Sequence, residues 1–214
     1  KVVTGTFTIP ADTRASTALP ARAVKGAYPV TDLREVGRPQ PPAPLRVALD
    51  LEIGGAPITL ERPVTFAWVD PVDGERSRPV EVVPSLTATF PSAAVMVVQG
   101  RPSELELVLA TELGNAAGSV RLDLPAGWSA EPASIPVNLL EPGASTTAVF
   151  RVSAPKAPSG DARVRAVVTT AAGETAIGKT VIEHPHIPTL TVREAALARL
   201  VPVTLATGGR RIGY

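Results

Sequence analysis

The chain has 214 residues, 44% of them hydrophobic, with 21 Lys or Arg against 20 Asp or Glu and a formal charge of +1. That balance argues against a nucleic-acid-binding protein, whose affinity rests on a basic face. Cysteine is absent, which excludes a disulfide framework, a thiol nucleophile and a Cys-bound zinc. No run approaches the ~18 apolar residues of a membrane helix. Twenty-three prolines and 17 glycines punctuate the chain at short intervals, a pattern that favours all-β over helical architecture.

Residues 1–90 read as a first β-sandwich domain. Lys1 to Pro10 is β-rich, with Val3, Phe7 and Ile9 available for burial. Ala11 to Pro44 is an irregular, proline-rich insertion, and Ala27 to Leu33 within it is expected to pack as an extended segment. Leu45 to Ile53 alternates cleanly: Leu45, Val47, Leu49, Leu51 and Ile53 share one face, and Arg46, Asp50 and Glu52 the other. Gly54-Gly55 turns the chain into Ala56 to Leu60. Val64 to Val69 is a further strand, closed by the Asp70-Pro-Val-Asp-Gly74 turn. Ser77 to Val83 and Ser85 to Phe90 complete the region, Pro79 and Pro84 confining the former to an edge or a bulge.

Residues 91–183 read as a second sandwich. Leu105, Leu107 and Leu109 alternate with Glu104 and Glu106. Val120, Leu122 and Leu124 repeat the rule, as do Ile135, Val137 and Leu139, then Ala148, Phe150 and Val152, then Val164, Ala166 and Val168. Glu174 to Ile182 is the last strand. Seven short strands with turns roughly every 8 to 12 residues match the immunoglobulin-type pattern without its cysteine pair. Slipping by one residue would bury Glu104, Glu106, Arg163 and Arg165, so register is well specified. The fold class expected is all-β, two tandem immunoglobulin/fibronectin-like β-sandwiches.

Residues 184–214 read as a linker, His184-Pro-His-Ile-Pro188, and, after the Gly208-Gly209 turn, the opening strand of a truncated further domain at Arg210 to Tyr214. Glu194 to Leu200 has local helix propensity, with β-rich residues behind it. The sole methionine is Met96, and with this tail it leads us to expect a segment cut from a larger protein.

Candidate chemistry is sparse. Asp70, Asp73 and Glu75 could ligate Ca²⁺ through oxygen, but Asp also favours turns for its backbone hydrogen bonds. His184 and His186 could bind a metal if a third ligand converged; otherwise they are linker residues. There is no nucleophile elbow and no phosphate cradle. The expectation is no catalytic residue, no cofactor and no metal. Carbohydrate binding needs exposed aromatic platforms, and only 4% of residues are aromatic. Trp68 shares a face with Phe66, which predicts burial in the core, with an exposed glycan contact as the alternative. Trp128 follows Gly127 in a turn, where it could be a glycan platform or a plug over the end of the sandwich.

Pro125-Ala-Gly-Trp128, Leu140-Glu-Pro-Gly143 and the strand Thr147 to Ser153 resemble the NEW3-type immunoglobulin-like domain. That resemblance implies an accessory module associated with carbohydrate-active enzymes and α-galactosidases. Ile58 to Pro84 (ITLERPVTFAWVDPVDGERSRPVEVVP) and the tail His184 to Tyr214 resemble segments of large bacterial LmbE/PIG-L-type proteins. There, a zinc-dependent de-N-acetylase domain precedes sandwiches of this kind, and a glutamine-amidotransferase-like domain follows. No His-Pro-Asp-Asp-type zinc motif occurs in this chain, so no catalytic residue carries over. The expectation is a non-catalytic spacer of an exported, extracytoplasmic protein. Its partners are the flanking domains of the parent chain, with carbohydrate as a further partner in the alternative reading, and neither nucleic acid nor a membrane span.

Overall fold

A computed structural model describes residues 4–6, 8–10, 13–17, 33–37, 42–72, 74–156, 162–184 and 186–205. These form sixteen β-strands and one short 3-10 turn, Leu33–Glu35, so the chain is all-β as expected. The segment 27–32 and the tail beyond 205 lie outside the described residues. The chain divides into two units: Lys1–Val83 with Ile182–Arg193, and Pro84–Val181 with Glu194–Tyr214.

In the first unit, β1 (Arg46–Ile53) pairs with β2 (Ala56–Pro63), and β3 (Thr65–Asp70) with β4 (Gly74–Pro79), both antiparallel. Gly54 and Gly55 have φ of 59° and 83°, the left-handed pair that a two-residue hairpin turn demands. Arg46 and Asp50 meet Glu61 and Thr59 across one face, at 3.3 and 2.7 Å. Val47, Leu49, Leu51, Ile58 and Leu60 line the other. The alternation expected over Leu45 to Ile53 is present, but its apolar face is exposed, because no second layer covers this ribbon among the described residues.

Elsewhere in this unit, Arg193 gathers three chain segments. Its side chain is only 1% exposed. It donates to Ser16 O at 2.8 Å and pairs with Glu81 Oε2 at 2.9 Å, while its backbone N–H donates to Thr17 Oγ1 at 3.0 Å.

The second unit is a two-sheet sandwich. One sheet runs β5 (Thr87–Thr89), β7 (Ser103–Ala110), β11 (Ser145–Ser153), β9 (Ser129–Glu131). The other runs β10 (Ile135–Leu139), β8 (Ala116–Asp123), β12 (Ala162–Thr170), β16 (Leu197–Val203), β6 (Ala94–Val98), with β13 (Gly173–Thr175) beside β12. Leu105, Leu107, Leu109, Val120, Phe150, Val152, Val164 and Val168 are buried between them, as the alternation predicted. Gly114, at φ 72°, is required: a Cβ there would sit 2.6 Å from the Leu140 carbonyl oxygen.

The structure departs from several of the expected boundaries. The break between units falls between Val83 and Pro84 rather than near Pro91, because Leu86 and Ala88 are fully buried and Thr87–Thr89 pairs with β7. The supposed linker 184–188 lies at the turn of a hairpin between β14 (Ile177–His184) and β15 (Ile187–Ala195). Beyond it, Leu197–Val203 forms β16, which lies antiparallel to β12 and parallel to β6, while the strand expected to open a further domain, Arg210 to Tyr214, lies outside the described residues. Alternation wins over helix propensity there: Ala196, Ala198 and Leu200 are buried while Leu197 and Arg199 face out. The strand expected over Glu174 to Ile182 is broken at Ala176, whose carbonyl accepts from Ala196 N–H at 2.9 Å.

Candidate functional site

The β3–β4 hairpin presents the most distinctive surface chemistry. The Asp70-to-Gly74 turn sets the register, so that Trp68 faces Arg76 and Phe66 faces Arg78. Successive strand residues alternate faces. Phe66, Trp68, Arg76 and Arg78 therefore share one face, and Ala67, Val69, Glu75 and Ser77 the other. The Phe66 and Trp68 rings stack with centroids 5.8 Å apart and planes 22° from parallel. Phe66 is 55% exposed and Trp68 38%, so the expectation that Trp68 is core is corrected: the hairpin it belongs to is exposed along both strands. Reasoning from sequence missed the two arginines as part of this face. Counting outward from the Asp70–Gly74 turn would have found them.

Trp128 is placed differently. It is partly buried and packs against the sandwich core. Its N–H donates to Pro125 O at 3.2 Å, closing the Pro-Ala-Gly-Trp turn. That is the position of a plug.

Of the acidic turn, the described carboxylates Asp70 and Glu75 do not converge. Asp70 Oδ1 accepts the Val72 N–H at 2.8 Å, the local bond that Asp makes in turns. Asp70 pairs with Gly74 and Glu75 with Val69, so the two carboxylates belong to opposite faces. Asp73 lies outside the described residues. His184 and His186 stack at the tip of the β14–β15 hairpin, ring centroids 5.8 Å apart. Among the described residues, no three His, Asp or Glu side chains are grouped to hold a metal.

Two further polar arrangements lie on the sandwich. Arg151 on β11 is the register partner of both Glu104 on β7 and Glu131 on β9. With Pro132 and Val149 they line a surface depression of about 560 Å³. On the other sheet, Asp123 accepts from Arg121 and from Arg165 Nε, the latter at 3.2 Å, while Arg121 also reaches Glu174 at 3.3 Å. The Arg165 hydrogen bonds hold the Asp123 carboxyl below its ordinary value; bonding and charge from Arg121 add to this, and partial desolvation opposes it. Neither arrangement offers a nucleophile with a base to activate it.

Among solved structures, the cryo-EM reconstruction of the native conformation of E. coli alpha-2-macroglobulin aligns with 84% of this chain at 16% identity and a TM-score of 0.35. The chain spans 12% of that structure's length, and a likeness this loose carries no argument. A comparison with curated proteins finds no match. Residues 97–171, from β6 to the end of β12, match the NPCBM-associated, NEW3 domain of alpha-galactosidase, and the sandwich carries a NEW3-type domain over that stretch.

Proposed function

We propose that this chain is a non-catalytic accessory region of a larger, exported LmbE/PIG-L-type de-N-acetylase, and that it positions the domains flanking it. The observation that carries the reading is the NEW3-type stretch at the heart of a sandwich with an apolar core. A sandwich of this kind is closely packed and resists deformation, so it fixes spacing and orientation. The link to a de-N-acetylase parent, and with it the extracytoplasmic location, rests on the likeness of Ile58 to Pro84 and of His184 to Tyr214 to such proteins. Incubating the purified chain with zinc and acetylated amino sugars tests the non-catalytic claim. No acetate release above the blank is expected; turnover by the chain alone would overturn it.

A second reading is favoured by one observation, the exposure of the stacked Phe66–Trp68 pair. In that reading the region also holds a glycan, with Trp68 as the contact residue. Trp128 supports it less, because its ring is engaged with the core.

A further inference from the structure

We propose that the face of β3–β4 bearing Phe66, Trp68, Arg76 and Arg78 binds a linear acidic polysaccharide, one whose sugar rings carry carboxylates. The proposal rests on the glycan-binding reading and specifies its ligand class. Two chemistries are combined on this face. The near-parallel rings of Phe66 and Trp68 form an apolar surface on which the C–H faces of a pyranose can stack. Directly opposite, across the ladder, stand Arg78 and Arg76, both exposed. A guanidinium matches a carboxylate through two parallel N–H bonds, a geometry that lysine does not offer. The sugar ring and its acid group are thus addressed by adjacent strands.

Shape and charge narrow the choice of ligand. Small-molecule sites are concave and enclose their ligand. This face belongs to a hairpin exposed along both strands, so a chain can cross it without a terminus having to enter a cavity. Glu75 belongs to the opposite face. Asp70, at the turn end of the same face, accepts the Val72 amide and keeps its charge, so the face carries two arginines against one carboxylate. A nucleic acid fits less well, since two arginines neutralise only about two phosphates and leave little affinity at physiological salt. The two-residue period of the strand repeats one aromatic–arginine rung along the face, which suits a polymer with a repeating unit.

The test is affinity electrophoresis of the full chain in native gels containing polygalacturonate, its fully methyl-esterified form, or no polymer. The ester keeps the sugar backbone and removes the charge. We expect polygalacturonate to retard the chain, and the ester to do so about tenfold less strongly for each arginine–carboxylate contact with the polymer that is removed. Trp68→Ala should abolish retardation by both polymers. Arg76→Gln with Arg78→Gln should bring the acid form down to the level of the ester. Equal retardation by the two polymers, abolished by Trp68→Ala, would overturn the acidic assignment and leave the glycan-binding reading standing. No retardation by either polymer would overturn both, as would retardation that survives Trp68→Ala. Mobility shifted only by a single-stranded oligonucleotide would also overturn the proposal. Trp68 lies outside the sandwich unit, so unchanged amide protection along β3 and β4 in Trp68→Ala, read by hydrogen exchange, separates lost binding from a lost hairpin.

Discussion

Arg165 on β12 and Asp123 on β8 are direct cross-strand partners, with Arg165 Nε 3.2 Å from Asp123 Oδ2. Arg121 holds the same carboxylate, which lies below its ordinary value first because of the Arg165 hydrogen bonds. A carboxyl with a depressed folded value contributes stability that is complete above the unfolded value, about 3.9. That contribution is lost as pH falls through the folded value. The acid limb of a plot of melting temperature against pH should therefore include Asp123. Asp123→Asn should flatten that limb below about pH 4. At pH 7 it should cost no more than about 1 kcal/mol, since the group is partly exposed and screened. An unaltered acid limb would show that the network does not contribute.

Strand β16 lies between β12 and β6, and among the described residues β6 has no other partner strand in its sheet. A chain ending at residue 183, where the alternation alone suggested a domain end, would lack that strand. It would expose Val97 on β6 and Val164 and Ala166 on β12, all buried here. We expect the truncated protein to aggregate or to melt well below the full chain, as read by circular dichroism. Leu200→Ala in the full chain should cost about 2–5 kcal/mol, the usual range for a buried leucine. A truncated form melting with the full chain would mean that β16 is dispensable.

The sandwich was legible because its strands keep one face charged and the other aliphatic: Glu104 and Glu106 against Leu105 and Leu107 leave a single workable register. The tail was not legible in the same way. Glu194 to Leu200 is rich in alanine and leucine, good helix formers, yet it divides between the end of β15 and the start of β16, and only a place between β12 and β6 makes the latter a strand. Long-range pairing of this sort leaves no local mark. Trp68 was misread for a different reason. Sharing a face with Phe66 says that the two rings travel together, not which side the core lies on. The turn from Asp70 to Gly74 did contain the register that places Arg76 and Arg78 beside them, so that part of the face could have been read from the sequence.

The two tryptophans should separate cleanly on substitution. Trp128→Ala removes a ring that packs against the core, and should cost about 2–4 kcal/mol, somewhat below the range for a fully buried aromatic. Trp68→Ala removes an exposed ring and should leave the sandwich melt within about 0.5 kcal/mol of the parent. Denaturant melts of the two variants check this. A reversal of the two costs would refute both placements.

Arg193 holds Glu81, Ser16 and Thr17 together with a side chain that is nearly inaccessible, while Glu81 remains 43% exposed. The two partners should therefore respond unequally. Glu81→Gln should lower amide protection at Val82 and Arg193 only slightly, because water can replace the lost charge. Arg193→Met should lower it by about 1.5–3 kcal/mol, the range for hydrogen bonds to a charged group. Hydrogen exchange read at those two amides measures both, and equal effects would contradict the burial difference.

The positioning role itself is tested most directly in the parent protein by replacing both units, residues 4–205, with a flexible Gly/Ser linker. Turnover is then measured on a small acetylated amino sugar and on the corresponding acetylated polymer. A spacer acts through geometry, so the account predicts unchanged turnover of the small substrate and a clear loss on the polymer. Equal loss on both substrates, or undiminished activity on the polymer, would contradict it.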